Sequence, residues 1–111
     1  MLLFGRENLI KYNKAIRDKI PEIIAESGKK CNIKHLEDES FLAELEKKLV
    51  EEVNEYAESK DVEELADLLE VIYRISELRG INSNELDEIR KDKAEKRGKF
   101  ASNLFLIDAE K

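Results

Sequence analysis

Five carboxylates stand close together in the middle of this chain: Glu51, Glu52 and Glu55, then, after a polar break at Ser59-Lys60-Asp61, Glu64 and Asp67. Most acids in an acidic chain only keep its surface solvated. The phase of these acids is different. Turning about 100° per residue, Glu52 projects between Phe41 and Leu45, inside an apolar arc, with Glu55 at the edge of that arc and Glu51 on its polar flank. On the following segment Glu64 projects among Leu68, Val71 and Ile75, and Asp67 lies at the edge beside Leu78. Each segment therefore offers one inward and one edge carboxylate at i, i+3, on a shared face. Taking such groups out of water unpaired is expensive, so the pattern calls for a compensating cation. Mg2+ takes oxygen ligands in octahedral geometry and bridges carboxylates to phosphates. Mn2+ suits the same donors, whereas zinc would want histidine or cysteine nearby. The purely structural reading of the same residues makes Glu64 a capping-box acid and pairs Glu52 with Lys48 one turn earlier.

The elements that must position these acids follow from hydrophobic spacing. Phe41, Leu42, Leu45, Leu49, Val53 and Tyr56 recur at helical intervals and predict a long helix from Asp38, as its cap, to about Ser59. Asp61 opens the next helix, with Glu64 at the capping-box position, and Leu65, Leu68, Leu69, Ile72, Ile75 and Leu78 carry it to Gly80. So short a break makes the two helices antiparallel neighbours, an αα-hairpin that gathers both acid pairs near one end.

Around the hairpin lie candidate cations. RDKIPEIIAESG predicts one short helix, with Pro21 in its first turn and Gly28 closing it. Arg17 and Lys19 precede it, either as surface cations beside Asp18 or as phosphate contacts next to a helix N-terminus. Asn82, with Glu85 three residues on, caps a last helix that ends at about Arg97 and Gly98. Its stripe begins with Leu86 and Ile89 and continues as Lys93, Lys96 and Arg97, cations that either favour a helix C-terminus or reach for an anion. Phe100 follows as an anchor or a base-stacking surface. Short strands are expected in the first sixteen residues and at 103–108, and 29–36 reads as a strand or an extended connector. His35, the only histidine, lies in that connector and reads as structural, and the Glu-x-x-His pairs of a di-iron bundle are missing.

With 111 residues and no interdomain linker, the chain reads as one domain over 1–111. The 41% of charged residues and 6% of aromatic ones suit long amphipathic helices. A net charge of −6 argues against a nucleic-acid coat, but a local basic cluster or a divalent cation leaves room for a phosphate substrate. Cys31 is the single cysteine, which excludes an intramolecular disulfide. The apolar start Met1–Phe4 is too short to span a bilayer. The expected compartment is the cytoplasm.

Glu51-Glu52-Val53-Asn54-Glu55 followed by Glu64-Leu65-Ala66-Asp67 resembles the E-E-x-x-E, spacer, E-x-x-D signature of the all-α nucleotide pyrophosphohydrolase superfamily, which includes MazG-like house-cleaning enzymes, dimeric dUTPases and phosphoribosyl-ATP pyrophosphohydrolase. YNKAIRDKIPEII, the acidic hairpin and KAEKRGKF, taken in order, are similar to a MazG-related subgroup labelled phosphoribosyl-ATP pyrophosphohydrolase-like. Lys99 departs from that subgroup's KRGGF loop. The resemblance implies Mg2+ held by Glu52, Glu55, Glu64 and Asp67, with Glu51 and Glu52 as catalytic acids and Glu51 orienting water. It implies hydrolysis of a nucleoside triphosphate between the α and β phosphates, giving monophosphate and pyrophosphate. Arg17, Lys19, Lys93, Lys96 and Arg97 would hold the phosphate charge. It also implies a homodimer or homotetramer, in keeping with a hairpin that needs a second copy to close a four-helix core. Phosphoribosyl-ATP hydrolysis in histidine biosynthesis is the rival enzymatic expectation. A non-catalytic helical dimerisation module is the third.

Overall fold

The computed structural model describes residues 9–111, and over that range the chain is all-helical. Its elements are α1 (Ile20–Glu26), α2 (Asp38–Ser59), α3 (Val62–Leu78) and α4 (Ser83–Arg97). α2 and α3 form the hairpin, joined by Lys60 and Asp61 alone. Lys60 makes the reversal possible by adopting a left-handed backbone, φ 60°, with its N–H donating to the Tyr56 carbonyl. Asp61 then starts α3, its carboxylate accepting from the Glu63 N–H at 3.0 Å. At the other end of the pair Arg79 donates to Glu46 at 3.1 Å, fixing the antiparallel register.

The core lies between these two helices. Ala15, Leu45 and Val71 are its buried hydrophobic residues, with Phe41, Leu49, Ile75 and Leu78 packed around them. Ala15 comes from the segment before α1, so that segment is pinned across the hairpin. α4 packs against α3 through its apolar start. Asn82 and Glu85 form the expected capping box there, the Glu85 N–H donating to Asn82 at 2.9 Å and the Asn82 N–H to the Glu85 carboxylate at 3.4 Å. Gly80 makes the preceding turn at φ 90°, a conformation in which a side chain is strained. α1 ends as expected, with Gly28 in the left-handed region just beyond it.

Much apolar surface stays open. Val50 and Val53 on α2 and Leu65, Leu69 and Tyr73 on α3 are exposed. The radius of gyration is 19.3 Å, against about 13 Å for a folded domain of some 100 residues.

Three expectations need correction. Glu37, not Asp38, is the N-cap of α2, and it makes no side-chain capping bond; Asp38 and Glu39 instead occupy the first turn, where acids meet the positive end of the helix dipole. Glu64 is not the capping-box partner of Asp61, whose carboxylate takes the Glu63 N–H. No strand forms among the described residues: 29–36 is an irregular connector, 103–108 is irregular and exposed, and 9–16 holds none. A strand needs a neighbour for its backbone groups, and these segments find none. The first half of the expected N-terminal strand, residues 1–8, lies outside the described residues.

Candidate metal centre

α2 carries Glu51, Glu52 and Glu55 just before the hairpin turn, and α3 carries Glu64 and Asp67 just after it. Glu52 is 6% exposed, the one buried charged side chain among the described residues. It belongs to two groups of acids at once. Carboxylate oxygens of Glu51, Glu52 and Glu55 lie within 4.8 Å of one another, and so do those of Glu52, Glu64 and Asp67. Burial falls away from this centre: Glu51, Glu64 and Asp67 are half-buried and Glu55 is exposed.

The Glu52 carboxylate is incompletely satisfied. Lys48 approaches its Oε1 at 3.6 Å, long for a hydrogen bond. Oε2 is buried and has no hydrogen-bond partner among the described residues. Burial pushes the Glu52 carboxyl above its ordinary range, the Glu55 and Asp67 charges add to that, and Lys48 pulls back against it. Glu64 is pushed the same way, first by desolvation and then by its hydrogen bond and charge contact with Glu55. Bringing these acids together therefore disfavours their charged forms.

The flanking acids have counterions. Lys14 donates to Glu51 at 2.9 Å and Arg17 to Asp67 at 2.7 Å. The Lys14 hydrogen bond holds Glu51 below the usual carboxylate range, and the same bond raises Lys14. These two cations bracket Ala15, so one short strap is bolted to α2 on one side and α3 on the other. Lys14 was not legible as a site residue in the sequence. Its only signal is the i, i+3 spacing with Arg17 across an alanine that turns out to be buried.

The other expected cations are not brought to the acids. Lys19 is the exposed N-cap of α1. Lys93 and Arg97 are exposed, and Lys96 pairs with Asp92 on its own helix at 3.0 Å. No ion pair joins any of these four to the acidic cluster among the described residues. Among the described helices α4 packs against α3 alone and does not reach α2. Phe100 is 99% exposed. The lone Cys31 is exposed, as is His35, and neither stands at the centre.

The donor set contains only carboxylate oxygens, and its most buried member has an unpaired oxygen. Both features fit a hard divalent cation such as Mg2+ or Mn2+. Comparison of the chain with protein-family models, with curated proteins and with solved structures gives no match in any of the three. No described helix is long and apolar enough to cross a membrane.

Proposed function

We propose that this chain is a Mg2+-dependent nucleoside triphosphate pyrophosphohydrolase that cleaves between the α and β phosphates. The observation that carries this reading is the Glu52 Oε2 atom, buried and without a hydrogen-bond partner among the described residues, at the point where two groups of acids overlap. A carboxylate so placed is strongly disfavoured without a cation. Glu52, Glu55, Glu64 and Asp67 would hold the metal. Bound there, Mg2+ would neutralise phosphate charge and lower the pKa of a coordinated water.

The chain's own residues divide the remaining work. Glu51, held by Lys14 beside this group, would orient the attacking water. Arg17 already sits against Asp67, so its guanidinium borders the place where a metal-bound phosphate would lie, and it can turn to that phosphate as a fork of donors. Lys19, Lys93, Lys96 and Arg97 could serve the same substrate only from a second copy or after rearrangement. The open apolar faces of α2 and α3 support assembly as a homodimer or homotetramer.

The test is release of pyrophosphate and monophosphate from a panel of (d)NTPs, with phosphoribosyl-ATP included, in Mg2+ and in Mn2+. Turnover that Glu52→Gln abolishes while the helical signal persists supports the reading, and no turnover across the panel sinks it. One observation favours a second reading. Lys14, Arg17 and Lys48 already give Glu51, Asp67 and Glu52 cationic partners, as they would in a helical dimerisation module with no metal. Equilibrium binding of Mn2+ separates the two.

A further inference from the structure

α1 is the least anchored helix of the chain. It has no buried residue, and it packs against none of the other three described helices. The strap that carries Lys14, Ala15 and Arg17 leads into it. The chain enters that strap through Asn13, whose backbone is left-handed at φ 46°. Asparagine tolerates this conformation better than most residues, so the bend before Lys14 suits the residue that makes it. The strap then meets the hairpin at Lys14 on Glu51, at the buried Ala15, and at Arg17 on Asp67. Arg17 is the last of these contacts before α1. The Ile20 N–H donates to the Arg17 carbonyl at 3.1 Å, so the first turn of α1 grows directly from the arginine. Where Arg17 is held, α1 follows.

A cation at the acids would treat these contacts differently. Glu51 lies outside the group formed by Glu52, Glu64 and Asp67, so Lys14 can keep its bond. Ala15 is held by apolar contact. Asp67 is contested: it belongs to that group, and Arg17 already takes its Oδ1 at 2.7 Å. A divalent ion ligated by the same carboxylate brings like charges close together, and they repel. The ion pair is the weaker side of that contest. Both of its side chains are about half exposed, and solvated pairs of this kind stabilise little, whereas carboxylate oxygens are the preferred ligands of a hard cation.

We infer that Arg17 is a latch: in the metal-free chain it closes on Asp67 and fixes the direction in which α1 leaves the hairpin, and a divalent cation that takes Asp67 opens it. The latch rests on the metal centre proposed above and adds an order of events to it. The guanidinium becomes free to meet a triphosphate only once the metal is in place, and α1 swings about the Lys14–Glu51 contact as it does so. By linkage the effect is reciprocal, so the closed latch weakens metal binding.

Double electron–electron resonance on the full chain tests it. Spin labels go on Glu26→Cys in α1 and Glu70→Cys in α3, in a Cys31→Ser background, with diamagnetic Mg2+ as the ligand and circular dichroism to verify that the helices persist. The metal-free chain should give one narrow distance distribution, which saturating Mg2+ shifts or broadens. Arg17→Gln in the same background should show the opened distribution without metal. In calorimetry Arg17→Gln should bind Mn2+ about 5-fold more tightly than wild type, because no exposed ion pair has to be broken. Mn2+ binding by the wild-type chain with an unchanged distance overturns the latch and leaves the metal centre standing. An Arg17→Gln chain that binds Mn2+ no more tightly than wild type overturns the latch as well. Mn2+ binding by neither chain overturns both the latch and the metal centre.

Discussion

Arg17 and Asp67 lie fifty residues apart in sequence and meet at 2.7 Å, joining the segment before α1 to the acid that ends the carboxylate cluster on α3. Both side chains are about half exposed, so as a stabilising contact the pair contributes little, about 0–1 kcal/mol. Its importance lies in where it holds a guanidinium. Arg17→Ala should leave the melting temperature within a few degrees of wild type and weaken binding of the metal–triphosphate complex by roughly 10-fold, the loss of one charge-assisted contact. Titration calorimetry with Mn2+ alone and then with Mn2+ and a non-hydrolysable triphosphate distinguishes the two effects. A loss of metal affinity as large as the loss of triphosphate affinity would show that Arg17 only positions Asp67.

Glu52→Gln keeps the shape of the side chain and removes its charge. Mn2+ binding should fall by at least about 100-fold, and pyrophosphate release should fall with it. In metal-free buffer at neutral pH the variant should be more stable than wild type by on the order of 1 kcal/mol, because a buried carboxylate with an unpaired oxygen is no longer present. Thermal melts with and without Mn2+ give both signs. A variant that is less stable without metal and binds Mn2+ normally would remove the basis for the metal centre.

Acidity should act in a defined direction. Glu52 and Glu64 are held above the ordinary glutamate range, both chiefly by desolvation and then by neighbouring acids. A carboxyl raised in this way keeps its proton longer folded than unfolded. Its contribution to stability is present at low pH and is lost as pH rises through the ordinary range toward the raised value. Glu51 and Asp87 are lowered, Glu51 by Lys14 and Asp87 by Arg90 and Lys91. Their contribution is present above the ordinary range and is lost as pH falls through the lowered value, a separate and more acidic window. The metal-free protein should therefore melt at a lower temperature at neutral pH than at mildly acidic pH, and saturating Mn2+ should remove the difference. A metal-free melting temperature that rises toward neutrality would contradict the assignment.

The capping box at Asn82 is independent of the acids. Asn82→Ala should destabilise the chain by about 1 kcal/mol, the usual loss for a helix cap, and leave Mn2+ affinity unchanged. Denaturant unfolding followed by circular dichroism measures it. An unchanged unfolding midpoint would mean that α4 folds without contributing to the cooperative unit.

The hairpin was legible because its signals are local and agree with one another. The apolar spacing of α2 and α3, the two-residue break and the Asn82–Glu85 pair all depend on near neighbours in sequence. The burial of Glu52 was legible for the same reason, since helical phase alone places it inside the apolar arc. The strap was not. Lys14 is an ordinary loop cation until a long-range fold brings it to Glu51, and Arg17, which reads as a phosphate contact beside a helix N-terminus, gives no local sign that it meets Asp67. The terminal strands were overread, because alternation at 103–108 describes a segment that could pair, and pairing needs a partner strand that the described chain does not provide. Lys93, Lys96 and Arg97 read in the sequence as a helix end reaching for an anion, and the fold leaves them exposed or, for Lys96, paired with Asp92 on its own helix.

The strap is fastened to the hairpin by the methyl group of Ala15 and by two ion pairs that water reaches. So small an attachment lets it lift away as a local event while α2 and α3 stay intact. Added salt weakens both ion pairs and leaves the methyl contact largely untouched. The closed strap should therefore open more readily as ionic strength rises, and backbone amides near Ala15 should exchange with deuterium faster in high salt while those around Leu45 and Val71 keep their protection.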